Sequence, residues 1–140
     1  MIAPPVVNLL VIRSKDIDRA VTFYEVIGFV FQKHSHGSGP EHYASEKDGF
    51  VFEIYPLSPK QEPTIWTRLG FSVDDVDGLV DKLVGLGINI VSHPTDSEWG
   101  RRAVVKDIDG HTCEITQPIH AEQGGARQPA TRRESEIYGD

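Results

Sequence analysis

The sequence predicts an α+β protein made of two tandem βαβββ units, and three observations carry that prediction. Strand-like apolar runs and stretches of helical spacing follow one another twice in the same order: strand, helix, three strands. Asp16, Ile17, Ala20, Val21, Tyr24, Ile27 and Gly28 match Asp75, Val76, Leu79, Val80, Leu83, Leu86 and Gly87 at a constant offset of 59, while Gly49 and Glu53 match Gly110 and Glu114 at 61. Two constant offsets separated by one indel mark an internal duplication. Finally, each unit ends in a strand with a glutamate at its centre, Glu53 in the first and Glu114 in the second. Burying an unpaired charge in hydrocarbon is costly, so those strand faces line a cavity or an interface.

The elements follow in order. Residues 6–13 form a strand-like run bounded by Pro4 and Pro5. Asp16 then caps a helix whose apolar stripe ends at Gly28. Residues 29–34 and 42–46 read as strands around a Gly-rich turn, and Asp48–Gly49 turns the chain into a strand over 50–55. The second unit repeats this with a strand over 68–73, a helix capped by Asp75 and ended by Gly87, a strand over 88–91, and a closing hairpin. That hairpin pairs 103–105 with 112–115 across a tight turn at Asp109–Gly110. The expected organisation is one domain over 1–119, with module one at 6–57, a linker at 58–65 and module two at 66–119. A polar tail over 120–140, nearly devoid of apolar residues, is expected to be disordered.

Composition narrows the function. A net charge of −7 argues against nucleic-acid binding, which relies on Lys and Arg to neutralise phosphates. No apolar run is long enough to span a membrane. The one cysteine, Cys113, cannot form an intrachain disulfide, and the residues after Met1 lack the pattern of a signal peptide, so a cytoplasmic protein is expected.

The combination of Asp16–Ile17–Asp18, Thr22–Phe23–Tyr24 and Ile27–Gly28–Phe29 with residues 69–77, Trp99–Gly100, Arg102, Asp107–Ile108–Asp109–Gly110 and Glu114 resembles the vicinal oxygen chelate superfamily. That superfamily includes glyoxalases, bleomycin-resistance proteins, fosfomycin-resistance enzymes and extradiol dioxygenases. The resemblance implies two modules whose mixed sheets curl into a cup with helices on the outer face, usually in a homodimer. In metal-dependent relatives the first and fourth strands of each module bind a divalent ion. The fourth-strand positions here are Glu53 and Glu114, both suited to a hard metal. Seven residues before the capping aspartates stand Leu9 and Arg68, and neither binds a metal; a one-residue slip in the first strand offers only Asn8. No metal and no cofactor is therefore expected.

Strand alternation places Leu9, Val11 and Arg13 on the cup face with Val51, Glu53 and Tyr55, and Arg68, Gly70 and Ser72 with Thr112, Glu114 and Thr116. The expected ligand-binding residues are Arg13, Glu53, Tyr55, Arg68, Trp99, Arg102 and Glu114; no catalytic residue is assigned. The glutamates either contact a ligand or pair with Arg68 or Arg13. Trp99 stacks on a ligand or packs at the rim, and Trp66 covers a boundary between modules or subunits. His34, His36, His93 and His111 read as solvated loop residues, whereas His42 opens a strand and can approach Glu53. Cys113 alternates toward the core, away from chemistry. These features favour a dimeric, metal-free small-molecule binding protein. The alternatives are a metal-dependent lyase, isomerase or dioxygenase acting on neighbouring oxygens, and an interaction module that docks through its tail.

Overall fold

The structure is a computed structural model that describes residues 2–119. The expected disordered tail over 120–140 lies outside the described residues. The chain divides into two compact units between Trp66 and Thr67.

The first unit runs β1 (Leu9–Ser14), α1 (Ile17–Ile27), β2 (Gln32–His34), β3 (His42–Lys47) and β4 (Phe50–Pro56). Its strands lie in the order β1-β4-β3-β2, with β1 parallel to β4 and the other neighbours antiparallel. The second unit runs β5 (Arg68–Ser72), α2 (Val76–Gly85), β6 (Ile90–Ser97), β7 (Gly100–Lys106) and β8 (Thr112–Gln117), in the order β5-β8-β7-β6. Each unit is thus βαβββ with a four-stranded mixed sheet, as the duplication predicts.

The duplication extends to individual hydrogen bonds. Asp16 and Asp75 cap the two helices with near-identical backbone angles, each accepting from the N–H three residues on, at 3.1 Å from Arg19 and 3.0 Å from Gly78. At the other ends Phe29 donates to the Tyr24 carbonyl and Ile88 to the Leu83 carbonyl, past Gly28 and Gly87 at positive φ.

One sheet face of each unit is the core. Ile12, Phe52 and Ile54 are buried with Ala20, Val21, Phe23 and Tyr24 of α1, and the Tyr24 ring meets Phe52 edge-on at 5.0 Å. In the second unit Leu69, Ala103, Val105, Cys113 and Ile115 are buried, as are Val76, Leu79, Val80 and Leu83 of α2.

Several boundaries differ from expectation. β1 starts at Leu9 because its parallel partner begins at the Asp48–Gly49 turn; upstream of Asn8, whose carbonyl accepts from Val51, no strand remains to pair with, and Val6 and Val7 are exposed. β2 starts at Gln32 because Phe29 still closes the helix, and its ring and that of Phe31 pack on Phe52. β6 extends to Ser97 through Pro94, which an edge strand with register shifts on both sides of Ser92 tolerates.

The closing hairpin is not a two-residue turn. Pairing stops at Lys106 opposite Thr112, leaving residues 107–111 as a loop built on the Asp107 carboxylate. Its Oδ1 accepts from the backbone N–H groups of Asp109, Gly110 and His111 at 3.0, 2.9 and 2.8 Å, and its Oδ2 accepts from His111 Nδ1 at 2.8 Å. His111 is 0% exposed, so the expectation of a solvated histidine is overturned: its ring is the buried strut of this loop.

Candidate functional site

In the second unit the face opposite the core centres on Glu114. The carboxylate is buried in a strand, and two guanidiniums compensate its charge: Arg68 Nε donates to Oε2 at 2.7 Å and Arg102 Nε to Oε1 at 3.1 Å. The strand registers explain this arrangement. Arg68 lies opposite Thr112 and Arg102 opposite Thr116, so the two arginines reach Glu114 from one step on either side along β8. Charge-assisted bonds of this kind offset the cost of desolvating the ions. Lys106 adds a third cation, donating to Thr112 Oγ1 at 3.1 Å. By register, Arg68, Arg102 and Lys106 share this face with Glu114. Arg68 Nη2 is buried and has no hydrogen-bond partner among the described residues. The next residue, Arg101, serves structure instead, with its guanidinium on Asp77 of α2 at 3.0 and 3.1 Å. That contact holds the Asp77 carboxyl below the usual carboxylate range.

The matching face of the first unit is aromatic. His34, His42, Tyr55 and Arg13 form a row across β2, β3, β4 and β1. The His42 and Tyr55 rings stack at 4.1 Å with a 7° interplanar angle, and Arg13 Cζ lies 4.9 Å from the Tyr55 centroid. Arg13 also holds the Pro56 carbonyl through Nη1 at 3.4 Å. Glu53 therefore meets His42, at 3.5 Å between Oε2 and Nε2, and the expected Glu53–Arg13 pair gives way to an Arg13–Tyr55 contact.

The other sequence candidates fall as follows. Trp99 occupies the turn between β6 and β7, half-buried, with its backbone N–H donating to Ser97 Oγ at 3.2 Å. Trp66 is 92% exposed. His93 lies on β6, exposed, and His34 lies in β2 with its ring near His42, so neither is a loop residue; His36 is in a loop and exposed.

The residues do not fit a divalent ion at the first- and fourth-strand positions. The registers place Val11 beside Glu53 and Gly70 beside Glu114, two residues on from Leu9 and Arg68. The side chains of Val11 and Leu9 have no lone pair, Gly70 has no side chain, the Arg68 guanidinium donates and does not accept, and both Glu114 oxygens accept from guanidiniums. Elsewhere, Asp107, Asp109 and His111 bring three donor atoms within 4.8 Å of one another, but the Asp107 oxygens already organise the hairpin loop.

Residues 6–115 match the family model described as the glyoxalase/bleomycin resistance protein/dioxygenase superfamily, and the chain belongs to that superfamily. An uncharacterized protein of Mycolicibacterium smegmatis is 28% identical over 114 residues, covering 81% of this chain and 94% of its own length. A lactoylglutathione lyase of Arabidopsis thaliana is 31% identical over 125 residues; the match covers 77% of this chain but 42% of the lyase. Among solved structures, TnmS3, an antibiotic binding protein from a Streptomyces species, superposes with a TM-score of 0.68 at 25% identity, over 85% of this chain and 100% of TnmS3.

Proposed function

We propose that the chain is a small-molecule binding protein of the glyoxalase/bleomycin-resistance type, which holds its ligand against the polar sheet faces without a divalent ion at the family's position. The observation that carries this reading is the bracketing of Glu114 by Arg68 and Arg102. Guanidiniums supply fixed positive charge at the fourth-strand carboxylate, and unlike a metal they also supply directed N–H donors. Arg13, Glu53 and Tyr55 present a flat, partly charged surface in module one (6–57), and Arg68, Arg102, Glu114 and Trp99 serve module two (66–119). The likeness to TnmS3, an antibiotic binding protein, supports a small-molecule ligand.

The chain acts as a homodimer, a state supported by the exposed apolar side chains of Val6, Val7, Leu9 and Trp66. A cytoplasmic setting agrees with the buried Cys113 thiol. Among the described residues no helix is long and apolar enough to cross a membrane.

A thermal-shift screen of chelator-treated protein against an antibiotic panel tests the reading: it expects saturable stabilisation by a compound, lost in Arg68→Met. The likeness to the Arabidopsis lyase favours a second reading, a metal-dependent lyase acting on a dicarbonyl–thiol adduct. Turnover of such an adduct that is abolished by chelator would replace the first reading with the second.

A further inference from the structure

The Glu114 face of the second unit holds more positive charge than its one carboxylate neutralises. Elsewhere in this acidic chain cations meet carboxylates in excess: Arg101 pairs with Asp77 and Asp96, and Lys33 with Asp18 and Glu41. On the Glu114 face Arg68 and Arg102 divide a single carboxylate, and Lys106 pairs with none among the described residues. The registers of β5, β6, β7 and β8 leave only Ser, Thr, Gly and Val at the other paired positions of this face. Three formal positive charges therefore stand against one negative.

Arg68, Thr112 and Lys106 form one rung across β5, β8 and β7. Neighbouring strands lie about 4.8 Å apart, so the backbones of the two outer residues stand roughly 10 Å apart, a gap that two long side chains can close on a small group. Lys106 leans over that gap, since its Nζ donates to Thr112 Oγ1 at 3.1 Å. An ammonium has three N–H donors, and a hydroxyl that accepts still has its own hydrogen to give. A guanidinium commonly grips both oxygens of one carboxylate, but here Arg102 holds Glu114 Oε1 and Arg68 reaches only Oε2. Arg68 Nη2 is buried with no acceptor among the described residues. A buried donor without an acceptor is costly, and an anionic oxygen supplies what it lacks.

We propose that the rung of Arg68, Thr112 and Lys106 is the subsite for an oxyanion group of the ligand, a carboxylate or a phosphate, so that the compound bound is an acid. This rests on the ligand-binding reading above and narrows its substrate class. Metal-dependent relatives hold a cation between their first and fourth strands; in this chain the charge at those strands is reversed, and it selects a ligand of the opposite sign. Glu114 is a positioning residue here, because its bond to Nε holds the Arg68 guanidinium on the rung's face.

Isothermal titration with three probes that share one ring, benzoate, phenyl phosphate and the neutral benzamide, tests the subsite. Either or both acids should bind saturably, one per chain, and roughly tenfold or more tightly than benzamide; the better of the two tells carboxylate from phosphate. Lys106→Met keeps the apolar stem and should weaken the acid roughly tenfold or more, the loss expected for a charged hydrogen bond, while leaving benzamide unchanged. Lys82→Met, exposed on α2 at the other side of the sheet, should leave the acid unchanged. The Arg68 Nε–H signal should move with the acid by NMR. No saturable binding of either acid at millimolar concentration, benzamide binding as tightly as the acids, or acid binding indifferent to Lys106→Met would each overturn the proposal. Equal loss in Lys82→Met and Lys106→Met would overturn it in favour of diffuse attraction to surface charge. A neutral compound of the antibiotic panel whose binding needs Arg68 but not Lys106 would overturn this inference and leave the ligand reading standing, whereas failure of every compound, acidic or neutral, would remove both.

Discussion

Arg68 lies opposite Thr112 rather than Glu114 in the β5–β8 ladder, yet its Nε is 2.7 Å from the Glu114 carboxylate. The long side chain leans along the strand, and a Cβ on Gly70, opposite Glu114, would meet nothing within 4 Å. Arg102 approaches from the other side at 3.1 Å, which makes the two arginines unequal to the glutamate in what their loss exposes.

Removing the carboxylate leaves two guanidiniums facing each other, whereas removing Arg68 leaves Glu114 with Arg102. Glu114→Gln should therefore destabilise by about 3 kcal/mol, the low end for breaking a buried ion pair. Arg68→Ala should cost about 1.5 kcal/mol, the low end for one hydrogen bond to a charged group. Urea unfolding of both variants checks the order, and an Arg68→Ala cost equal to that of Glu114→Gln would show that Arg102 does not compensate.

The Asp107 loop makes a second stability prediction. Asp107→Ala orphans three backbone N–H groups and the buried His111 ring, so a loss of about 3 kcal/mol or more is expected from unsatisfied buried donors. Asp107→Asn keeps an acceptor for the backbone and should cost less. Equal urea midpoints for wild type and Asp107→Ala would contradict the role assigned to this carboxylate.

These two cases show what the sequence made legible. The offset of 59 located both helices and both caps, and strand alternation turned Glu53 and Glu114 away from the core, because each depends on local spacing. The Asp107 loop was hidden because Asp109–Gly110 looks like its counterpart Asp48–Gly49, which does make the two-residue turn between Lys47 and Phe50. An Asp four residues before a His is a usable signal, but only a buried ring shows that it is used. His34 was missed as a partner of His42 because hairpin register, not spacing, brings them together.

The Asp18–Tyr43 contact sets a pH dependence. Tyr43 donates to Asp18 Oδ1 at 2.6 Å; that bond, with Lys33 nearby, holds the Asp18 carboxyl below the ordinary range. The same bond raises the Tyr43 phenol, aided by partial burial and by the Asp18 charge. A lowered acid contributes stability that is present above its unfolded pKa and lost as pH falls through the folded value. A raised phenol contributes stability that is present below its unfolded pKa and lost as pH rises through the folded value. Stability from this pair should thus fade at both extremes. Tyrosinate absorbance should show one tyrosine ionising late, and Asp18→Asn should bring it down; an unchanged titration in that variant would refute the contact.

Guanidinium in place of an ion at Glu114 is the central claim, and a ligand titration with and without chelator tests it most directly. The probe is the compound from the antibiotic panel that most stabilises the protein, followed by tryptophan fluorescence. The account predicts the same affinity with and without chelator, and a loss of about tenfold or more, equal to about 1.4 kcal/mol, in Arg68→Met. Binding that disappears with chelator and persists in Arg68→Met would contradict it.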